Sequence, residues 1–358
     1  MDEFEKNDMK IFDDIKKRIL LTGGAGFIAH HTIRHLLQNT DWEIVSLDRL
    51  DYSGNLNRIS DMMTEFDKET QKRVRIVYHD LRAEINEMLT ADLGKFDYIV
   101  HMAASSHVDR SIEDPMTFVL DNVVATCNIL NFGRKQENLE RFIYFSTDEV
   151  FGPAPKGVNY KERDRYNSTN PYSATKAGGE ELCVAFENTY DMPIYITHTM
   201  NVFGERQHPE KFIPMTIKNA RDGNLVTIHS DSDKKIPGSR HYIHAKDVAD
   251  GMLFLLHNQD KISNLDKDYG GAKCPKFNLV GPVEWDNLVL AQKIAMSQNK
   301  ELKYEMVDFH TSRPGHDLRY ALDGSLMKEL GWEPKVSIDE RISQVVNWTL
   351  NNDRWLKL

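Results

Sequence analysis

The sequence predicts an α/β protein in which a doubly wound, mostly parallel sheet is followed by a smaller C-terminal domain. Three observations predict it. Apolar runs with strand character alternate with amphipathic stretches through the first 200 residues, the pattern that βαβ units produce. A glycine-rich turn stands between the first of these runs and the helical stretch after it. Beyond about Asn201 the elements shorten, with punctuation at Gly204, Pro209, Gly223, Pro237-Gly238, Gly270-Gly271 and Gly281-Pro282. A chain of 358 residues has room for both parts at about 100–200 residues per domain.

Taken in order, the first strand is Arg18-Ile19-Leu20-Leu21, followed by Thr22-Gly23-Gly24-Ala25-Gly26-Phe27-Ile28-Ala29 and an amphipathic stretch to about Gln38. Glycines placed there let the backbone approach a pyrophosphate, and the helix N-terminus adds free N–H groups and a favourable dipole. Ala29, at the third position of the spacing, is small enough for close helix–sheet packing. The second strand, 43–47, ends at Asp48, where a carboxylate can accept both hydrogen bonds of an adenosine ribose. That favours NAD over NADP, while Arg49 beside it leaves a lesser case for a 2′-phosphate. Further strands follow at Val74–Tyr78, Tyr98–His101, 142–145 and 194–197, with helical patterns at 116–132 and 172–190. Asp80, after the third strand, is a second carboxylate placed to approach an adenine. The aromatic and methionine residues of 116–132 read as core or interface packing.

The division that results is a charged extension over 1–17, a dinucleotide-binding domain of Rossmann type over 18–200 with a return segment at 241–260, and a mainly substrate-binding domain over 201–358. The helical pattern at Ala245–His257 is what returns that segment to the first domain. A net charge of −10 without a dense basic stripe argues against a nucleic-acid partner. Cys127, Cys183 and Cys274 show no CxxC spacing, so neither a disulfide framework nor a zinc site is supported. His101, His107, His244 and His316 have no metal-ligand spacing either. No stretch approaches the ~18 consecutive apolar residues of a membrane span, and 1–17 lacks the apolar centre of a signal peptide. A cytoplasmic setting without a metal is the expectation.

The chemistry concentrates in two runs. Ser146-Thr147-Asp148-Glu149 places two carboxylates side by side where the apolar run 141–145 ends. Successive strand residues face opposite ways, so both can address one site only if the strand has already stopped. Tyr172-Ser173-Ala174-Thr175-Lys176 puts a phenol and an ammonium four residues apart on one helical face, where the cation can stabilise a phenolate. Two close carboxyls cannot both ionise cheaply, so one keeps its proton near neutrality; the sequence alone does not order the pair.

The motifs TGGAGFIA, LDRLDYSGN, HMAASSHVDRSIEDP, STDEVFG, NPYSATKAGGE, NVFGERQHPEKFIP and RPGHDLRYALD, colinear from about residue 18 to 332, resemble the extended short-chain dehydrogenase/reductases, and among them the nucleotide-sugar 4,6-dehydratases acting on dTDP-glucose or UDP-glucose. The resemblance implies tightly bound NAD, catalytic roles for Thr147, Asp148, Glu149, Tyr172 and Lys176, and cofactor contacts at Gly23, Gly26, Phe27, Ile28, Asp48, Arg49, Asp80, Leu81, Ala103 and Ala104, with Tyr172 and Lys176 again. It implies substrate contacts at Ser106, Thr147, Asn201, Lys211, Arg240, Asn278 and Arg313, and a homodimer. Its reaction oxidises C4 of glucose, removes water between C5 and C6 and returns hydride to C6, with Glu149 as base and Asp148 as acid. A 4-epimerase uses the same Tyr, Lys and NAD without an acid/base pair for C5 and C6, so Asp148-Glu149 favours dehydration; a non-catalytic NAD-binding scaffold is the alternative from another class. The chain departs from the dehydratase pattern at Ser105 for Glu, Val202-Phe203 for Asn-Tyr, Glu205 for Pro and His241-Tyr242 for Asp-Trp.

Overall fold

The computed structural model describes residues 16–265, 274–308 and 319–357. Strands of the first half are apolar on consecutive residues rather than alternating. That composition requires cover on both faces, and Ile19, Leu20 and Leu21 of the first strand are all fully buried. The chain runs β1 (Arg18–Thr22), α1 (Phe27–Asn39), β2 (Glu43–Asp48), α2 (Leu56–Met63), α3 (Lys68–Gln71), β3 (Val74–Tyr78), α4 (Glu87–Leu93) and β4 (Tyr98–His101). Next come α5 (Val108–Glu113), α6 (Pro115–Val119), a π-helical turn (Leu120–Val124), α7 (Ala125–Gly133), β5 (Arg141–Thr147), a 3-10 turn (Asp148–Phe151), α8 (Pro171–Tyr190) and β6 (Ile194–Thr199). The rest comprises β7 (Val202–Phe203), α9 (Phe212–Asp222), β8 (Val226–Ser230), β9 (Ser239–His241), β10 (Ile243–His244), α10 (Ala245–His257), α11 (Gln259–Leu265), β11 (Lys276–Leu279), β12 (Glu284–Asp286), α12 (Asn287–Met296), β13 (Tyr304–Asp308), α13 (Ser325–Glu329) and α14 (Ile338–Asn351).

Seven strands form one sheet in the order β11-β6-β5-β4-β1-β2-β3, every neighbouring pair parallel. The expected doubly wound architecture is therefore present. The order in which successive strands are added reverses between β1 and β4, and in such sheets ligands bind beyond the strand C-termini at that switch. One face is filled by α1 and α10, with Ile33, Leu37, Val248 and Met252 in a single cluster; the other is filled by residues such as Ile129, Leu130 and Cys183 of α7 and α8. The return of Ala245–His257 to the first core thus has a packing basis. So does a second return that the sequence reading placed in the other domain: β11 pairs with β6, Lys276 opposite Ile196 through Leu279 opposite Thr199. A separate cluster built on Phe203, Ile217, Trp285, Ile294 and Val346 forms the smaller lobe.

The helical pattern over 116–132 is interrupted. The π-turn turns both Asp121 and Asn122 into the protein, whereas Met116 stays 64% exposed; Met116, Val119 and Leu120 are therefore not core. No helix among the described residues is long and apolar enough to cross a membrane. Residues 1–15 and Arg313 lie outside the described residues.

Candidate active site and cofactor cleft

Strand β5 stops at Thr147, and the backbone tightens at once into the 3-10 turn. This end of pairing frees Asp148 and Glu149 from strand alternation. Thr147 caps the turn: its Oγ1 accepts from the Glu149 N–H at 3.4 Å and donates to Asp148 Oδ1 at 3.0 Å. Asp148 is buried, and its Oδ2 has no hydrogen-bond partner among the described residues. Burial first, and the neighbouring Glu149 charge second, push its carboxyl up to about 7, with Arg240 opposing. Asp148 is thus the member of the pair whose carboxyl burial lifts toward neutrality. Glu149 is half-buried and accepts from Asn170 Nδ2 at 3.1 Å.

Asn170 also starts the opposite wall. It is the N-cap of α8, its side chain accepting from the Ser173 N–H in a capping box, with Pro171 at the first helical position, a strong start signal. One helical turn of α8 then buries Tyr172 and Lys176 on the same face. Tyr172 is fixed by its N–H to Ser111 Oγ at 3.2 Å and by the edge of Phe118, ring centroids 6.3 Å apart. Burial raises its phenol and the charge of Glu149 adds to the rise, against a hydrogen bond with Thr147. Lys176 differs from expectation. Its Nζ donates to the Phe145 carbonyl at 2.7 Å and lies 4.2 Å from the Tyr144 ring centre, and burial brings it down to about 8 against the pull of Glu180. In this conformation Tyr172 is a phenol, and the groups that bear on it are Glu149, Thr147 and Asp148.

The C-terminal ends of β1, β2 and β4 enclose an open cleft of about 590 Å³. Gly23 has φ +72°, and a Cβ there would stand 2.9 Å from Ala103 Cα, so the turn and the β4 loop approach as closely as only glycine permits. Gly26, Asp48, Arg49, Asp80, Leu81, Ala103 and Ala104 line the same cleft. Phe27 and Ile28 open α1 behind it, half-buried. Asp48 accepts from the N–H groups of Leu50 at 2.7 Å and Ala25 at 3.0 Å; a carboxylate has about four acceptor sites, so two remain. Burial raises this carboxyl somewhat.

Arg49 is committed elsewhere. It forms a fork with Asp121 at 2.5 and 2.7 Å and meets Asp51 at 2.7 Å, and Asp121 also accepts from Ser105 Oγ at 2.6 Å. Asp80 is held by Arg82, Nε at 2.8 Å. Four carboxylates against two guanidiniums make this end of the cleft unfavourable for a 2′-phosphate. The sequence reading missed Asp121, Ser111 and Asn170. Only Asn170 carried a signal, an Asn-Pro pair ahead of an apolar helix; the other two depend on how α5 and the π-turn are rotated.

The expected substrate residues divide. Ser106 is exposed at the loop after β4, Asn201 follows β6 with φ +38°, and Lys211 takes the N-cap position of α9. Arg240, on β9, stacks over Tyr320 at 4.8 Å and acts electrostatically on Asp148. Asn278 is a correction. It is fully buried in β11, its Nδ2 donating to the Tyr160 and Asp323 carbonyls at 3.1 and 3.0 Å and its Oδ1 facing His198 Nδ1 at 3.0 Å. Strand pairing with β6 draws it into the core, where its side-chain amide is engaged by protein groups on both its oxygen and its nitrogen.

The model of one family, GDP-mannose 4,6 dehydratase, matches residues 20–345. The chain belongs to this family. Its nucleotide-sugar dehydratase character within the extended short-chain dehydrogenase/reductases agrees with individual relatives. The chain is 35% identical to the low-salt glycan biosynthesis protein Agl12 of Haloferax volcanii, over 94% of this chain and 99% of that one. It is 33% identical to dTDP-glucose 4,6-dehydratase of Salmonella typhimurium, over 95% and 94%. The solved structure of DesIV, a dTDP-glucose 4,6-dehydratase from Streptomyces venezuelae with NAD and TYD bound, superposes with a TM-score of 0.81 at 32% identity, covering 95% of this chain and 99% of that one.

Proposed function

We propose that the protein is an NAD-dependent nucleotide-sugar 4,6-dehydratase that converts dTDP-glucose or UDP-glucose to the 4-keto-6-deoxy derivative. One arrangement carries the reading: buried Asp148, raised toward neutrality and with Oδ2 unpartnered among the described residues, adjoins half-buried Glu149 in the turn after β5, and both act on the Tyr172 phenol. An epimerase needs no such group at C6.

The cleft suits NAD. Gly23 and Gly26 allow the close approach that a pyrophosphate needs, the α1 N-terminus offers N–H groups, Asp48 keeps acceptor sites for ribose hydroxyls, and the pairing of Arg49 with Asp121 and Asp51 disfavours a 2′-phosphate. Bound there, NAD supplies a reversible hydride acceptor. The side chains do the proton work. Tyr172 is the base for the 4-hydroxyl, aided when Lys176 and a positively charged ring offset the carboxylates that hold its phenol up. Once C4 is a ketone, the C5 proton is acidic; Glu149 removes it and Asp148 donates to the departing 6-hydroxyl, while Thr147 orients the 4-oxygen. Lys211 and Arg240 are the described cations proposed for the diphosphate, and Ser106 and Asn201 the polar neighbours of the sugar. Ile112, Met116, Val119 and Leu120 are all exposed from α5 to the π-turn, which supports a homodimer through that face.

The test is incubation with NAD and each nucleotide glucose, following the alkali-induced absorbance of a 4-keto-6-deoxy sugar. Formation of that product with either sugar is the expected result. A C4 epimer, or no turnover of either, overturns the proposal.

A further inference from the structure

One turn beyond Lys176 on the same face of α8, Glu180 is fully buried and lies outside the chemistry above. Donors reach its carboxylate from four separate elements. Ser146 of β5, the residue before Thr147, donates at 2.5 Å. His198 of β6 does so at 3.2 Å, Lys276 of β11 at 3.2 Å, and Tyr166, from the loop that precedes α8, closes the set. The ring nitrogens of His198 lie against Glu180 on one side and Asn278 on the other, and the Asn278 amide is oriented by the Tyr160 and Asp323 carbonyls.

We propose that Glu180 is a positioning residue: its carboxylate fixes the β5 end that carries Thr147 and Asp148, and from one helical turn away it keeps Lys176 charged. The inference rests on the reading of Tyr172 and Lys176 as the working pair. Burial of an ammonium with no anion nearby discharges it. Among the described residues the groups in direct polar contact with the Lys176 ammonium are the Phe145 carbonyl and the Tyr144 ring face, and Glu180 is the leading electrostatic influence that opposes its desolvation. The other titratable groups here do not supply that charge. Cys183 on the same helix, Tyr144 on β5, Tyr166 and, on β4, His101, on which Lys176 itself acts, are all held neutral by burial, and Glu181 and Cys274 bear on Tyr166. Lys276 adds a second cation to the same carboxylate, so it competes with Lys176 for the field of Glu180. A carboxylate that only braced the fold would leave the Lys176 titration where it is.

The experiment is trace acetylation of the whole chain with acetic anhydride across pH, the Lys176 peptide being read by mass spectrometry, without substrate. The wild-type midpoint is expected near 8. Glu180→Gln lowers it by about one unit or more, the range for loss of a close opposite charge, and Glu180→Asp retains most of it. Lys276→Met raises the midpoint, because it frees the field of Glu180. In turnover with dTDP-glucose or UDP-glucose, a second ionisation, above the fall near 7 that belongs to Asp148, shifts with the labelling midpoint in each variant. A midpoint unchanged in a folded Glu180→Gln protein, or lowered in Lys276→Met, overturns the inference; if Glu180→Gln does not fold, the sign in Lys276→Met decides alone. Absence of turnover in the wild type defeats the dehydratase reading instead, and the labelling still decides the role of Glu180.

Discussion

Two carboxylates are buried near the end of β5, Asp148 in the turn that follows the strand and Glu180 on α8, and although burial raises both, their net shifts have opposite signs. Asp148, in the turn after β5, has an oxygen with no partner among the described residues and is pushed up to about 7. Glu180, facing the sheet, takes donors from Ser146, Tyr166, His198 and Lys276 and is drawn down to about 2. Desolvation is the first influence on both. What separates them is the supply of donors and cations, and hence whether the carboxyl is available to exchange a proton or is fixed as an anion. Asp48 is an intermediate case, with two backbone N–H groups on its oxygens and a modest rise.

The largest effect that tests this contrast is catalytic. Tyr172→Phe and Asp148→Asn should each reduce turnover by roughly 10²–10⁴-fold, the usual contribution of a positioned acid or base. They should differ in where they stop: Tyr172→Phe impairs the initial oxidation, whereas Asp148→Asn and Glu149→Gln still reduce the cofactor in a single turnover and stall at elimination. Equal loss of cofactor reduction in all three would break the division of roles. Next in size, Asp48→Ala should weaken NAD binding about 10–100-fold, as expected for lost hydrogen bonds to a charged acceptor; calorimetry showing no change would place the ribose elsewhere.

A smaller and more diagnostic effect is in pH. Asp148 must be protonated to act as the acid, so turnover should fall as pH rises through about 7, and a profile flat from 6 to 9 would contradict that assignment. The smallest effect is on stability, where the two carboxyls should carry opposite signs. Asp148 has a raised folded value, so its cost to stability grows as pH climbs from its unfolded value to about 7 and is complete above that; Glu180 has a depressed one, so its contribution is present above its unfolded value and is lost as pH falls toward about 2. At pH 8, Asp148→Asn should therefore raise the melting temperature by a few degrees and Glu180→Gln should lower it by about as much, given roughly 2–4 °C per kcal/mol in large domains. Shifts of the same sign would show that donor supply does not distinguish the two.

The parts of this fold and site that were legible in the sequence are those set by local spacing. Continuous apolar runs announced the strands, the glycine turn and Asp48 announced the cleft, and the end of the 141–145 run announced that Asp148 and Glu149 leave the strand together. Four-residue spacing placed Tyr172 and Lys176 on one face. What escaped depends on contacts between distant segments. Whether Lys176 reaches a phenol or the Phe145 carbonyl is decided across the sheet, and β11 joins β6 only after a long excursion through the smaller lobe. The resemblance implies a substrate contact at Asn278, yet strand pairing brings its side chain against His198 instead. The burial of Asp121 has no local signature at all, because it comes from a change of helical pitch.

That pitch change has a consequence for altering the chain. Between Leu120 and Val124 the backbone carries the wider loop of a π-turn, in effect one residue more than an α-helix would hold, and through it Asp121 reaches Arg49 and Ser105 while Asn122 reaches the Ser105 backbone and Thr175. Removing a single residue there would restore regular winding and rotate whatever follows or precedes it by about 100°. One end of the cleft and the brace behind α8 would then be lost together, so indels at this point should be far less tolerated than substitutions on either flank.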